Sequence, residues 1–243
     1  MNTIIKNFML SVLGGIMISL GGVAFLSIDN KYLGALLFSI GLFTICHYAL
    51  NLFTGKIGYL LFQKIDYWFF IITVWLGNLL GTQITSLMVQ VMKPQLVEKA
   101  LVLADKKLLQ APLQILFSGF FCGLLMFIAV DSFKSGKDVF SKYVGIFLCV
   151  PVFILSGLEH CIADMFYFQL AGSYSLQSLS LILIASLGNV FGSLLIPVFT
   201  QVISPEIALP KLKVEKALLN HDHDNKYRNQ NLYRREQPQQ KTS

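Results

Sequence analysis

Gly157-Leu158-Glu159-His160-Cys161-Ile162-Ala163-Asp164-Met165 sets three ionisable side chains inside an otherwise uncharged stretch of chain. Upstream, Tyr143 to Leu158 contains no Asp, Glu, Lys, Arg or His, and downstream neither does Met165 to Pro205. Runs of that length and character belong in a membrane. Ionisable groups at such depth are costly and need partners or water. They mark a pore or a substrate site; the plainer alternative is a satisfied polar patch at a helix kink.

Composition agrees with a membrane setting. Of 243 residues, 55% are hydrophobic and 13% are charged, and the mean hydropathy is +0.64. A soluble domain carries about 25% charged residues. The four cysteines (46, 122, 149 and 161) fall in apolar segments without a C-x-x-C pair. They read as small buried thiols, neither a disulfide framework nor a metal site. Lys6 is followed by 22 uncharged residues, too many for a signal-peptide core and enough to span, so no cleavable leader is expected.

Gaps between charges outline six spans: Asn7–Ile28, Tyr32–Gly55 (ragged on to Phe62), Tyr67–Met92, Leu108–Val130, Tyr143–Leu158 and Gln177–Ile203. The fifth is short of the roughly 20 residues a crossing needs, so it must continue through the Glu-His motif toward Ala171 as a broken span. Six spans put both termini on one side. The side holding them carries 14 Lys and Arg against five on the other, which places the termini in the cytoplasm of a multi-pass plasma-membrane protein. Most of that bias lies in residues 206–243, with eight basic residues against five acidic ones. The expected organisation is a channel domain over 1–205 and a basic polar cytoplasmic tail over 206–243, disordered at its end. The basic residues flank spans, so nucleic acid is not an expected partner.

Leu76-Gly77-Asn78-Leu79-Leu80-Gly81-Thr82 and Leu187-Gly188-Asn189-Val190-Phe191-Gly192-Ser193 repeat at an offset of 111 residues. Three spans per half force the halves into opposite orientation, an arrangement that binds substrate near the midplane on discontinuous helices. Asn78 and Asn189 support the breaks or serve helix packing alone. Spans 2 and 5 hold equivalent places. Span 5 is expected to break around Glu159–Asp164 and span 2 around Asn51–Gly58, where two glycines, an Asn and a Thr weaken a helix. The freed helix ends would aim N–H groups into the pore, which favours anions.

Within that frame Leu52 and Phe53 read as an apolar constriction that excludes hydrated ions, with Thr54 offering a hydroxyl; they read equally as core or lipid-facing residues. An anion crosses such a zone most easily after taking up a proton. His160 either hydrogen-bonds the anion or relays a proton, and Glu159 steadies the ring or the break. Lys107, at the outer end of span 4, attracts anions or is an interfacial lysine. No catalytic residue, cofactor or metal is expected. Two other functions remain open: a channel for water or small neutral solutes, which suits the repeat equally well, and an intramembrane enzyme using Glu159, His160 and Asp164. The second lacks a nucleophile set, with His47 as its one possible helper.

The Gly157–Met165 stretch is similar to the Gly-aromatic-Glu-His-Ser-x-Ala-Asn-Met signature of the formate/nitrite transporter family. Leu52-Phe53-Thr54-Gly55 resembles that family's Leu-Phe-Thr-Gly loop, and the two Gly-Asn-x-x-Gly segments match as well. The resemblance covers spans 1 to 6. It implies an all-α integral membrane protein with an aquaporin-like protomer, broken helices 2 and 5, and a homopentamer with one pore per subunit. It implies small monovalent anions as substrates (formate first, then nitrite, hydrosulfide or lactate), with protons as partners. His160 would be the central pore histidine, Leu52, Phe53 and Thr54 the constriction, and Lys107 the outer-vestibule lysine. The chain departs from the pattern at Asn51 (Glu or Asp in the family), Gly123 (Asn), Asp164 (Asn) and Lys56, which directly follows Thr-Gly. The sequence starts almost at span 1, so the family's amphipathic N-terminal helix is not expected.

Overall fold

A computed structural model describes residues 3–203; the expected tail over 206–243 lies outside the described residues. Among the described residues every regular element is helical: α1 (Thr3–Ser27), α2 (Lys31–His47), α3 (Phe53–Lys56) running into a 3-10 segment (Ile57–Phe62), α4 (Asp66–Met92), α5 (Gln95–Leu108), α6 (Pro112–Ser135), α7 (Val139–Leu155), α8 (Cys161–Leu170) and α9 (Leu176–Ile203). Residues up to Pro197 pack as one unit.

Helices α1, α4, α6 and α9 have 25, 27, 24 and 28 residues and are long and apolar enough to cross a membrane. Helices α2 and α7 have only 17 residues each. The segment from α3 to Phe62 and helix α8 follow them as the second pieces of spans 2 and 5. These pieces make the six-span, three-plus-three repeat. Large apolar side chains on outward faces, among them Leu20, Phe69, Ile72, Phe117, Phe121, Leu183 and Phe191, are exposed. That much bare apolar surface suits a membrane.

Helix starts are locally encoded. Asn30 accepts from the Tyr32 and Leu33 N–H groups at 3.0 and 3.1 Å to cap α2. Asp138 caps α7 by accepting from Ser141 N–H at 2.9 Å, and hydrogen bonds from Ser141 hold its carboxyl below the usual carboxylate range. Pro112 opens α6 at a position where its missing N–H costs nothing.

The two breaks lie slightly earlier than expected, at residues 48–52 and 156–160. Asp164 falls in the first turn of α8, and Gly55 sits inside α3. Left-handed C-terminal turns, rather than a run of weak helix formers, cause the interruption. Ala49 (φ 52°) and Gly157 (φ 65°) both adopt positive φ. Around each, the next N–H reaches back to a carbonyl five residues earlier, Leu50 to Ile45 and Leu158 to Phe153. A second difference concerns Lys107. The expected fourth span began at Leu108, but that residue ends the separate helix α5, and the span itself begins at Pro112.

Glycines set the spacing of the long helices. A Cβ on Gly77 or Gly81 would run into α1 at Ser11 or Val12, and one on Gly188 or Gly192 into α6 at Leu116 or Phe120. Such small-residue faces let helix backbones touch. Gly123 is equally constrained, because any Cβ would overlap the Asn189 backbone. Helix α8 is enclosed on all sides, with all ten residues buried.

Candidate functional site

Asn78 and Asn189 each hold one break in place. Asn78 Oδ1 accepts from Phe53 N–H at 2.9 Å, and its Nδ2 donates to Ser11 O at 2.7 Å and Asn51 O at 2.9 Å. Asn189 Oδ1 accepts from Cys161 N–H at 3.0 Å, and its Nδ2 donates to Gly119 O at 2.8 Å and Glu159 O at 2.9 Å. Every partner in the second half lies 108 residues after its counterpart in the first: Ser11 and Gly119, Asn51 and Glu159, Phe53 and Cys161. A chain leaving a helix must satisfy its orphan backbone groups, and one amide side chain does so at each break. Both side chains are fully buried.

By the same offset Leu52 is the equivalent of His160. Each is the last residue before a short helix, but only His160 caps it with its side chain. His160 Nδ1 accepts from Ala163 N–H at 3.2 Å, and its Nε2 lies 3.0 Å from Thr54 Oγ1. An amide can only donate, so in the neutral ring the proton is on Nε2, which donates to Thr54. This bond joins the two breaks. The Phe153 ring stacks on the imidazole, centroids 5.5 Å apart. His160 is 1% exposed, and Leu52, Phe53 and Thr54 are also buried.

Three of the N–H groups expected to point freely into the pore are taken. Asn78 holds Phe53 N–H, Asn189 holds Cys161 N–H and His160 holds Ala163 N–H. Beside them the breaks present side-chain chemistry and the dipole of α8.

Lys107 occupies the last turn of α5 and is 8% exposed. Its ammonium donates to Glu159 Oε2 and lies 2.9 Å from Asp164 Oδ1. It is therefore ion-paired on two sides rather than an isolated cation at a mouth. The Glu159 side chain faces Lys107 and Gln110, whose Nε2 donates to Oε1 at 2.6 Å, and not the His160 ring. Glu159 steadies the break through its backbone instead. Its N–H donates to Ser118 Oγ at 3.0 Å and its carbonyl accepts from Asn189. Asn51 is tied into α1: its N–H donates to Leu10 O at 3.3 Å and its Nδ2 to Asn7 O at 3.2 Å. His47 is exposed and engages the Tyr143 hydroxyl at 3.2 Å and the Phe43 ring, so it does not join the Glu159–His160–Asp164 group.

A cavity of about 70 Å³ lies against this cluster, bordered by Lys107, His160, Asp164, Phe153, Leu158 and Tyr167 among others. One water needs about 10–15 Å³ of such space, so it has room for a few waters or one small anion. Sequence reasoning did not find Gln110, Ser118, Phe153 or Tyr167. Gln110, Ser118 and Phe153 become neighbours of the motif only through packing, whereas Tyr167 lies one helical turn after Asp164, a spacing that could have marked it. Among the described residues the four cysteines are free thiols, and no three His, Cys, Asp or Glu are grouped to hold a metal.

Known proteins resemble this chain. The model of the formate/nitrite transporter family matches residues 1–203. A formate-nitrite transporter of Entamoeba histolytica is 28% identical over 217 residues, covering 78% of this chain and 61% of that protein. The chain thus spans about three fifths of that relative's length. Two solved structures share the fold. A pentameric formate channel with formate bound has a TM-score of 0.69 and 24% identity, covering 82% of this chain and 97% of the other. An FNT family ion channel has a TM-score of 0.69 and 23% identity, covering 79% and 86%. The family is one of transporters, which sets the intramembrane-enzyme reading aside. With two clamped breaks meeting at a histidine and a family match over all the described residues, the chain belongs to the formate/nitrite transporter family.

Proposed function

We propose that the protein moves small monovalent anions across the membrane, formate first, with nitrite, hydrosulfide and lactate as alternatives, and that the anion passes the centre together with a proton. The observation that carries this reading is the Thr54–His160 hydrogen bond. It joins the two breaks at a buried point beside the apolar Leu52 and Phe53. A bare anion in such a constriction loses its hydration, at a cost of many kcal/mol, whereas the neutral acid does not. The Thr54 hydroxyl, which accepts from His160 Nε2–H, keeps its own O–H to donate to the oxygen of an anion or acid, and the Nε2–H can donate in turn when that bond opens. The positive end of the α8 dipole begins beside them. The family name and the formate bound to the structural neighbour support the substrate class.

In this reading Leu52, Phe53, Thr54 and His160 form the narrow part of the path, and Lys107 with Glu159 shapes its wider approach. Asn51, Asn78 and Asn189 hold the backbone that positions them. The protein assembles as a homopentamer with one pore per subunit, a reading supported by the pentameric neighbour. It lies in the plasma membrane with both termini cytoplasmic, which the distribution of Lys and Arg supports.

The test is flux in vesicles of the reconstituted full chain. Formate, nitrite and hydrosulfide gradients are applied from mildly acidic to neutral pH, with competition among the anions and lactate to rank them. Saturable anion flux accompanied by proton uptake is expected. Osmotic swelling with water or glycerol, without anion flux, overturns the reading in favour of a neutral-solute channel.

A further inference from the structure

Two carboxylates and one ammonium meet beside the cavity, and their charges do not balance. Lys107 serves both Glu159 Oε2 and Asp164 Oδ1. The second Glu159 oxygen is occupied by Gln110. The second Asp164 oxygen, Oδ2, is buried without a hydrogen-bond partner, and the residue is 1% exposed. One positive charge cannot neutralise two buried negative ones, and an unpartnered carboxylate oxygen away from water is costly. A proton on Oδ2 removes the excess charge and lessens the second cost, since a neutral hydroxyl is cheaper to bury than a charged oxygen. It leaves the cluster neutral and turns an orphaned acceptor into an O–H donor on a residue that lines the cavity.

His160 does not supply the proton that the anion needs. Its Nδ1 is engaged by Ala163 N–H, so giving up the Nε2 proton would leave a buried imidazolate. His160 is therefore a hydrogen-bond donor here, and the proton must come from another group in the cavity. Asp164 lies one turn further along α8, its N–H donating to His160 O at 2.9 Å.

We propose that Asp164 is the proton donor to the transported anion on the α5 side of His160. This rests on the anion-transport reading above. The Asp164 Oδ2–H bond breaks as an oxygen (or sulfur) of the anion takes the proton, giving the neutral acid and a carboxylate held by Lys107. Water in the cavity returns a proton to Oδ2, so the net change is one proton moved from the α5-side water to the anion; transport the other way reverses each step. The titratable groups around Asp164 are Lys107 from α5, Glu159 and His160 from the break, Cys122 from α6, and Cys161 and Tyr167 from α8. Helices α1 and α4 carry charges only at Lys6 and Asp66, in their first turns; α9 carries none, and α7 meets the cavity with Phe153 and Ile154.

The experiment pairs flux with infrared spectroscopy on the full chain in vesicles. Wild-type flux falls as the α5-side pH rises, first because the free anion loses its acid form and again, by up to about tenfold per pH unit, as Asp164 loses its proton. Asp164→Asn keeps the size and the contact to Lys107 but holds no acidic proton to give. Its flux is expected to retain only the first component. The wild type is expected to show the carbonyl stretch of a protonated carboxyl group at neutral pH, and the variant to lack it. If Asp164→Asn does not fold, Asp164→Ser takes its place in both measurements. Superimposable pH profiles, or no protonated-carboxyl band in the wild type, overturn the role of Asp164 while leaving anion transport standing. A wild type that moves no anion overturns the transport reading, and this proposal with it.

Discussion

His160 uses its two ring nitrogens for different ends. Nδ1 caps α8 and Nε2 faces Thr54 across the meeting point of the halves. Asn also caps helices well, so His160→Asn is expected to keep α8 and lose the bond to Thr54. A hydrogen bond between neutral groups contributes about 0.5–1.5 kcal/mol, so formate flux should fall by roughly two- to tenfold. Flux and pH profile both unchanged would remove His160 from the mechanism. Ala49 and Gly157 occupy the same left-handed slot in the two halves, one with a side chain and one without. Ala49 is exposed, and a Cβ at Gly157 would meet nothing within 4 Å. Backbone strain therefore separates them, about 1 kcal/mol per residue. Ala49→Gly should raise the thermal midpoint of the solubilised protein and Gly157→Ala should lower it; midpoints moving together in either direction contradict this account.

At the scale of elements, α4 and α9 act as struts whose asparagines hold the broken spans. Asn78→Ala or Asn189→Ala leaves one buried N–H and the carbonyl of the break without partners, at about 1–3 kcal/mol each. The two variants should lose similar, large amounts of stability, read as early thermal unfolding or failure to purify as a single species. A midpoint within the error of wild type for either would show that its break holds itself. The small-residue faces of α4 and α9 bring these asparagines within reach, because Gly77, Gly81, Gly188 and Gly192 let α1 and α6 approach to backbone contact. The Gly-Asn-x-x-Gly segments therefore encode packing and clamping together, and the two readings of them in the sequence are one. Gly123 follows from the same closeness, since any side chain there meets Asn189.

At the scale of the whole molecule, the outward apolar faces suit lipid and, in the proposed homopentamer, neighbouring copies. Native mass spectrometry of the detergent-purified full chain should give a five-subunit mass, and a stable monomer would contradict the proposed assembly. The number of spans, the inverted repeat and which spans are broken were legible in the sequence, because hydropathy and repetition are properties of short stretches. His160, Thr54 and the paired asparagines were legible as members of a motif. Helix α5 was not, because its charges looked like a connecting loop, although Pro112 is a helix-start signal that separates it from the next span. Nor was the position of the breaks, which a left-handed turn sets and an Ala can occupy. The sequence by itself determined a six-span, two-halved membrane protein with a Glu-His motif at depth, since burial of an apolar chain in lipid leaves few other solutions. Only the tertiary structure decided that Lys107 is ion-paired to Glu159 and Asp164, and that Asp164 keeps an unpartnered oxygen beside the cavity. It alone decided that His160 bonds Thr54 from 106 residues away. Those contacts arise where the two halves close on each other, and no local pattern states which distant groups will meet.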